Sequence, residues 1–488
     1  MRMKTLLHSF LAATVLVAST VRAEPPDQAA EIDALKQRVQ DLEGQNRAIL
    51  RALEELKASL GERGVRVPGP GEVATEQPTQ VPPPVKVAPP TEIAAEKPTK
   101  PAETERQTAE EDRERGFVKW KEFVAGESRF QLYGFLRADT ITDTSLPDNA
   151  QKPFFIRSPD VPGGGHSNFT LHPRLTRLGL NFDLPRVEHA ANGRVGGKLE
   201  VDFQNTGSES RQIIRIRHAY LDLSWDDLSL LGGQTWDVIS PLYPTVNNDT
   251  LMWNAGNLGD RRPQLRLKYE PQLAGGTASF VGALGLTGAV TGDDLDENGV
   301  RDGERSTAPN LQGRVGYAHA LWRADPKQLA VGLWGLQAFE KTDEAVAGAT
   351  TFVGQSMGID YALALSARLS LRGEAWYGRN LDDFRGGIGQ GVNLATGDEI
   401  QGAGGWAELG FAVTRIYSIY GGYTIDDPRN GDVPRDGRTK NDAWYVVNRF
   451  RIGRPLLMGV DYLRWTTNFR GLESATDDRV NLYMQYDF

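Results

Sequence analysis

The feature that most constrains this fold is a period of two in side-chain polarity, which recurs from Arg129 onward. Successive side chains of a strand point to opposite faces, so this period predicts strands with one apolar and one wet face. Strand cores are predicted over residues 129–141, 174–184, 193–204, 213–225, 228–236, 264–270, 275–289, 310–322, 329–341, 351–365, 369–381, 399–413, 415–426, 441–452, 456–469 and 478–488.

About sixteen such strands predict an all-β fold, a transmembrane antiparallel β-barrel over residues 116–488. Only the outward half of each strand has to be apolar, which fits the hydrophobic fraction of 39% and the 53 glycines. Short turns such as Asp226-Asp227 alternate with long polar loops. A barrel of this size is too wide for side chains to fill, so a water channel is expected.

Both termini predict export to the bacterial outer membrane. Arg2 and Lys4 precede an apolar stretch that is shorter than the about 20 residues of a membrane helix, so residues 1–23 are predicted to be a cleaved signal peptide. The last strand places Tyr486 and Phe488 on its apolar face, as expected of a signal for the barrel-assembly machinery. The cysteine count is 0, so no disulfide or lipid-anchored N-terminus is expected.

Residues 24–60 carry a narrow apolar seam with alternating steps of three and four, interrupted by one asparagine at an a position. This heptad pattern predicts a coiled coil that oligomerises the chain through Ile32, Leu35, Val39, Leu42, Asn46, Ile49, Leu53, Leu56 and Leu60. An amphipathic helix docked on the barrel is the alternative, and two strands against three stays open. The proline-rich residues 61–115 predict an extended periplasmic linker.

The alternation also predicts which charged side chains face the lumen. The inward cations are Arg137, Arg177, Arg215, Arg217, Arg266, Lys268, Arg314, Arg372, Arg449 and Arg451. Inward acids include Glu200, Asp202 and Glu374, but most acids are expected in the linker and loops. A positive lumen would favour small anions. The alternative is that the arginines pair with acids and brace the wall, which is expected for about half of them.

The long connection from Asp237 to Pro263 is unusually apolar for an outer loop. Folding into the barrel would bury its aromatic residues, so it is predicted to form a constriction with Tyr243, Asn247, Asp249 and Trp253. An exposed loop is the alternative.

Other motifs argue mainly for exclusions. Asp294, Asp296, Asn298, Gly299 and Asp302 have the spacing of a calcium loop, but Arg305 stands where a bidentate glutamate is expected, so an acidic surface loop is favoured. No cofactor or catalytic residue is expected, because no Gly-x-Ser-x-Gly elbow or histidine pair at ligand spacing occurs. The net charge of −9 argues against a nucleic-acid partner.

Several segments resemble the DcaP-like porins, namely Tyr133–Asp139, Arg174–Leu178, Lys198–Phe203, Arg215–Tyr220, Gly233–Trp236 and Arg262–Arg266. The order of signal, coiled coil, proline-rich linker and barrel is similar too. The resemblance implies a homotrimeric, sixteen-stranded outer-membrane porin with periplasmic coiled coils that favours small anions such as dicarboxylates. It implies lumen roles for Arg137, Arg177, Arg215, Arg217 and Arg266.

The expected function is passive diffusion of small, anionic solutes through an outer-membrane channel. A phosphate-selective porin is a rival reading, although dense lysine and arginine ladders are not obvious. A structural tether, with the barrel as an anchor for a segment that binds the cell wall, is a second alternative. An enzyme is not expected.

Overall fold

The described part of the chain is a closed antiparallel β-barrel. The computed structural model describes residues 122–205, 207–208, 210–320 and 329–488. The chain divides into two compact units, residues 1–99 and 100–488, and every described residue belongs to the second. The predicted signal peptide, the coiled coil with its seam from Ile32 to Leu60, and the linker lie outside the described residues.

Sixteen strands form the barrel wall, and each pairs with the next. They are β1 Ser128–Asp143, β2 Arg177–Val187, β3 Gly193–Asp202, β4 Arg215–Ser224, β5 Leu228–Trp236, β6 Arg261–Tyr269, β7 Gly276–Gly285, β8 Asn310–His319, β9 Leu329–Val346, β10 Ala349–Ala364, β11 Leu369–Arg379, β12 Gln401–Ala412, β13 Tyr417–Pro428, β14 Arg438–Ile452, β15 Leu456–Phe469 and β16 Ala475–Asp487. The ring closes between β1 and β16, from Phe135 opposite Asp487 to Thr142 opposite Val480. The sixteen-stranded antiparallel barrel predicted from the sequence is confirmed.

Several short strands, a short helix and a 3₁₀ turn accompany the sixteen wall strands. Glu122–Ala125 pairs with the start of β1. The second strand, predicted over 174–184, begins at Arg177 in the structure, and the separate strand Asn168–His172 precedes it on the same side of β1. Pro173, between the two, has no N–H for the ladder. The remaining elements are the strands Gly207–Ser208, Arg211–Gln212, Gln272–Leu273, Val392–Asn393 and Asp398–Glu399, a helix α1 at Asp302–Arg305 and a 3₁₀ turn at Asp382–Phe384.

Successive connections alternate between the two ends of the barrel, as the antiparallel order requires. Most of the long ones share one end, where the two-residue turn 347–348 is an exception. At one end of the barrel, short turns connect an even-numbered strand to the next strand. They include 188–192, 225–227, 365–368, 413–416 and 453–455. The opposite end carries the loops L1 144–176, L2 203–214, L3 237–260, L4 286–309, L5 347–348, L6 380–400, L7 429–437 and L8 470–474. Within the described ranges, no helix is long and apolar enough to span a membrane.

The outer surface of the barrel is apolar. On β1, Leu136 is 59% exposed, whereas Asp139 and Ile141, which have the opposite parity, are fully buried. The same alternation exposes large apolar side chains around the ring, among them Leu178, Leu221, Leu265, Leu267, Leu333, Met357, Leu409, Leu482 and Met484. A soluble protein rarely exposes so continuous an apolar band, whereas a membrane barrel requires one.

The interior contains loops as well as inward side chains. L3 folds against the inner wall, where Val246, Met252 and Ala255 join an apolar cluster with Leu463 and Trp465 of β15. A second cluster packs Ile239 and Leu258 of L3 against Trp334 of β9 and Trp376 of β11, together with Phe384 of L6. In the described residues, both buried apolar clusters therefore hold L3 against the inner wall.

Candidate functional site

Nearly all of the predicted lumen cations form ion pairs. Within the described residues, only Arg266 among the ten has no carboxylate partner. The pairs are Arg137–Asp139 (2.7 Å), Arg177–Glu200 (3.5 Å), Arg215–Asp202 (2.7 Å), Arg217–Glu200 (2.6 Å), Lys268–Glu270 (2.7 Å), Arg314–Asp360 (2.6 Å), Arg372–Glu408 (2.7 Å), Arg449–Asp461 and Arg451–Asp487 (2.9 Å).

This pairing corrects the expected distribution of acids. From the sequence, most acids are expected in the linker and loops, with Glu200, Asp202 and Glu374 facing inward, and about half of the arginines are expected to be paired. The strands instead place many acids on the inner face, including Asp139, Glu200, Asp202, Asp360, Glu374, Glu408 and Asp461, all of them buried. Most of the wall is therefore close to neutral, and any positive field has to arise locally.

Two glycines allow side chains to reach across a neighbouring strand. The Arg314 guanidinium on β8 crosses Gly332 on β9 and donates to Asp360 on β10 at 2.8 and 2.6 Å. A Cβ on Gly332 would lie 2.4 Å from Nη2 of Arg314. The Tyr133 hydroxyl crosses Gly179 in the same way and donates to Glu200 at 2.7 Å. Such close approaches are a reason for glycine inside a strand.

A bulge concentrates positive charge on one side of the lumen. The ladder between β3 and β4 shifts where Glu200 pairs with His218 and Val201 with Ile216, which leaves Arg217 as the extra residue. In the sequence, the alternation of Ile214, Arg215, Ile216 and Arg217 breaks at His218-Ala219, the same place as the bulge. Both Arg217 and His218 are consequently buried on the inner side, and Arg217 binds Glu200 and Asp202 at 2.6 and 2.8 Å.

Cations outnumber acids on this side of the lumen. We define the cation cluster as the five arginines and three acids Arg177, Arg215, Arg217, Arg261, Arg385, Glu200, Asp202 and Asp260. Within the cluster, Asp260 binds both Arg261 at 3.1 Å and Arg385 at 2.8 Å. Burial opposes ionisation of Asp260, but Arg385, Arg261 and Arg215 hold the pKa of this loop carboxyl below its usual range. The three acids therefore leave the cluster with a net positive charge.

Aromatic rings line the same cluster. The Arg261 guanidinium lies 4.3 Å from the ring centre of Trp236, and Trp236 packs beside Tyr243 and Trp253 at 6.3 and 6.2 Å. Arg385 lies 5.0 Å from the Trp253 ring. Cations over aromatic faces are held in place, and Arg261 and Trp253 are both buried, so the exposed ring beside them is that of Tyr243. The cluster thus combines positive charge with flat apolar surface.

The predicted constriction residues occupy different positions along L3. Tyr243 is 48% exposed, whereas Trp253 is 3% exposed. Asn247 donates its side-chain N–H to Asp139 and its backbone N–H to Asp461, both at 2.7 Å. Asp249 lies against His172, Arg174 and Arg479 at 3.3, 2.8 and 3.6 Å. These contacts tie the middle of L3 to β1, β15 and β16.

Further wall acids hold the first half of L3. Glu374 on β11 accepts hydrogen bonds from the Ser240 hydroxyl and, at 2.8 Å, from the Leu242 N–H. Glu408 on β12 accepts the N–H and the hydroxyl of Thr245, each at 2.7 Å. Because carboxylates on the wall satisfy backbone donors of L3, the loop lies inside the barrel without leaving these polar groups unpaired.

Seven of the ten predicted lumen cations lie outside the cation cluster, and three of these, Arg266, Lys268 and Arg451, differ from the rest in their partners or their exposure. Arg266 donates to the Gln264 side chain at 2.9 Å and to the Trp236 carbonyl. Lys268 and Arg451 lie near the short-turn end of their strands, and their side chains are 41% and 47% exposed. The alternation is therefore right about their face, but these two lie at the rim and not at the level of L3.

Sequence reasoning did not assign a role to Arg261, Arg262 or Arg385. Arg262 is fully buried and binds Asp237 at 2.6 Å and Asp383 at 2.6 Å. It also donates to the carbonyl of Leu286 at 3.0 Å, so it connects L3, L4 and L6. The sequence offers one signal, the adjacent arginines Arg261 and Arg262 before Pro263, and this does not reveal their partners, which are distant in sequence.

Metal-binding candidates are confined to one place. Among the described residues, one group of acids, Asp294, Asp296 and Asp302 in L4, has the proximity that a cation site needs.

The two residues predicted to signal barrel assembly lie at the end of the last strand. Tyr486 lies on the outer face and is 49% exposed, and the backbone N–H of Phe488 donates to the Gly134 carbonyl of β1 at 3.0 Å.

The architecture defines a class of fold: a closed sixteen-stranded barrel with an apolar exterior, a charged interior and an infolded L3 has the porin fold. No protein-family model and no curated protein sequence matches the chain. Solved structures with this fold include the outer membrane channel DcaP of Acinetobacter baumannii, with a TM-score of 0.60 and 21% identity over 75% of this chain and 99% of that chain. Salmonella typhi OmpF, solved with daunomycin, gives 0.50 and 11% identity over 75% and 100%. The resemblance to DcaP-like porins is confirmed at the level of the fold.

Proposed function

We propose that the protein is an outer-membrane porin through which small anionic solutes diffuse passively. The closed barrel and its continuous apolar exterior support a transmembrane location, because the wall strands pair with one another around a ring that leaves no open sheet edge. The outer membrane channel DcaP has a similar fold, which supports the assignment to a channel of the outer membrane.

The observation that carries the preference for anions is the cation cluster beside the exposed face of Tyr243. Within this cluster Arg177 is the least committed arginine, because it is 29% exposed and its carboxylate partner lies 3.5 Å away. An arginine that is weakly paired and faces water can bind a carboxylate in two-pronged fashion. A dicarboxylate suits this arrangement, since its second group can interact with another arginine of the cluster, such as Arg215, whose side chain is 18% exposed.

L3 is proposed to set the narrowest part of the channel. Its two apolar clusters fix it against β9, β11, β14 and β15, which reduces the free lumen on that side. Solutes then pass beside L3, where the cation cluster lies. A fixed loop gives a fixed aperture, so selectivity would depend on the side chains that remain exposed beside it.

The test is single-channel recording in planar bilayers with the purified protein. Open-pore steps and a reversal potential of anion-selective sign in a salt gradient are expected. Adding dicarboxylates should reduce the conductance more than adding monocarboxylates of equal charge concentration. Cation selectivity would contradict the proposed preference, and the absence of conductance steps would contradict the channel itself. A stronger block by phosphate than by any carboxylate would favour the phosphate-selective alternative.

We also propose a homotrimer whose N-terminal segment lies in the periplasm. This part of the proposal rests on the heptad pattern of residues 24–60, the proline-rich residues 61–115 and the resemblance stated above. The three helices would join the barrels on the inner side of the membrane, while the linker supplies the reach that this requires.

A further inference from the structure

L4 gathers three acids that form no ion pair with a basic side chain of the described residues. Asp294 and Asp296 lie in the loop, and Asp302 begins α1. One carboxylate oxygen of each lies within 4.8 Å of the other two. The nearby basic residues are committed elsewhere: Arg301 pairs with Glu304 at 3.3 Å and Arg305 with Asp343 at 2.6 Å. Three negative charges therefore share one small volume.

Two of these carboxylates each have an oxygen without a hydrogen-bond partner among the described residues. Asp302 is fully buried, and its Oδ2 accepts the Leu295 N–H at 2.7 Å. Its Oδ1 is buried and has no hydrogen-bond partner among the described residues, and the same holds for Oδ1 of Asp296. Burying a carboxylate oxygen without a donor, beside two more carboxylates, is unfavourable unless a cation compensates.

We propose that Asp294, Asp296 and Asp302 bind a calcium ion. All of the donors are oxygens, and calcium accepts six to eight of them in flexible geometry, whereas magnesium demands a near-ideal octahedron and dehydrates reluctantly. The loop Asp294-x-Asp296-x-Asn298-Gly299 supplies the first ligands, and Asp302 supplies a carboxylate although Arg305 occupies the position of the usual glutamate. This proposal departs from the plain acidic loop that the sequence favoured.

The ion would fasten L4 to the tall hairpin of β9 and β10. Oδ2 of Asp296 accepts the backbone N–H groups of Asp343 and Glu344 at 2.7 and 2.8 Å. The Asn298 side chain donates to Asp343 at 3.2 Å. Calcium would neutralise the acids that make this contact, so L4 would stay in place at the mouth of the barrel. This inference does not depend on the proposed solute or on anion selectivity.

The experiment is a calorimetric titration of calcium chloride into the full-length protein, refolded in detergent free of lipopolysaccharide and treated with a chelator. We expect one ion per barrel, with a dissociation constant of about 10⁻⁴–10⁻³ M, the range of extracellular calcium modules. Asp302→Asn and Asp296→Asn should each weaken binding by about tenfold or more. Glu304→Gln is the matched control, because Glu304 lies in the same helix outside the group, and it should bind as the unaltered protein does.

A second readout follows L4 itself. Calcium should slow tryptic cleavage after Arg301 and Arg305 in the unaltered protein and in the control, but not in the two Asp→Asn variants. The proposal is overturned if the unaltered protein shows no saturable heat at millimolar calcium, if magnesium binds equally well, or if both Asp→Asn variants bind undiminished. If Asp302→Asn does not fold, as judged by heat-dependent migration on a gel, the Asp296→Asn variant decides.

Discussion

The Arg262 guanidinium on β6 binds the Asp383 carboxylate in L6 with Nη1 and Oδ2 2.6 Å apart. Neither group is reached by solvent, and the guanidinium also lies 3.9 Å from the ring centre of Phe384. Because Arg262 simultaneously binds Asp237 at the start of L3, one side chain determines how two loops meet the wall.

Replacing Arg262 should therefore destabilise the barrel strongly. Arg262→Ala leaves two buried carboxylates without their cation, and breaking a buried pair in this way costs about 3–5 kcal/mol. Urea unfolding of the detergent-solubilised protein, followed by tryptophan fluorescence, measures the loss. Arg464→Ala is the control, because Arg464 lies on the outer face in an exposed pair with Asp478, and it should unfold with the unaltered protein. Equal midpoints for both variants would show that Arg262 is dispensable.

The double variant Arg177→Ala and Arg266→Ala should reduce the preference for anions. Arg177 is weakly paired, and Arg266 has no carboxylate partner among the described residues, so both contribute uncompensated positive charge to the lumen. The shift in reversal potential in a salt gradient measures this contribution. Arg464→Ala again serves as the control, since it removes the same charge from the outer face. Selectivity that is unchanged in the double variant would refute the role given to these two residues.

Gly332→Ala should disturb the wall more than an equivalent change at Gly282. A Cβ on Gly332 would lie 2.4 Å from Arg314 and 2.5 Å from Asp360, so the ion pair across β9 has to move. Overpacking of this kind typically costs about 1–3 kcal/mol. Gly282 has nothing within 4 Å of its Cβ position, so Gly282→Ala should be nearly neutral. Thermal unfolding of the two variants side by side provides the comparison.

L1 should lose stability as the pH rises from about 4 to about 6. Burial raises the pKa of Asp148 to about 6, although the N–H groups of Phe154 and Phe155 act in the opposite direction. The unfolded value is about 3.9, so between these two pH values the folded loop holds the proton more tightly than the unfolded loop does. The stabilisation is complete below about pH 4 and lost above about pH 6.

Hydrogen–deuterium exchange of residues 148–157, corrected for the intrinsic rate, measures this dependence. Asp148→Asn should flatten it, because the amide does not titrate. Asp160→Asn, an exposed position of the same loop, should keep the slope of the unaltered protein. A slope that persists in Asp148→Asn would assign the effect to another group.

Deleting residues 24–60 should weaken the oligomer without closing the pore. The heptad seam predicts that this segment holds the subunits together, whereas the barrel is complete without it. Light scattering in detergent should then show smaller particles, and bilayer recordings should still show conductance steps. A trimer that is equally resistant to dilution after the deletion would assign assembly to the barrels.

The period of two in the sequence was sufficient to predict the strands of the wall. It did not predict which side chains would pair when the partners are distant in sequence. It predicted the inward direction of Arg372, because a strand alternates regardless of its neighbours. It did not predict that Glu408 would stand opposite, since the register of β11 and β12 depends on how L6 folds between them. The Arg314–Asp360 pair is harder still, because it also requires a glycine at position 332 on the strand between. Whether the lumen arginines are neutralised by acids thus depends on the strand registers, and these cannot be read from a single sequence.

The seam between β1 and β16 limits how the barrel can form. Its partners, such as Leu136 and Tyr486, stand near opposite ends of the described residues, so this pairing has the longest loop to close. A barrel interrupted before β16 would present two bare strand edges to lipid, which has no hydrogen bonds to offer them. Insertion is consequently all-or-none: truncated barrels should be cleared by periplasmic proteases and not accumulate as smaller pores.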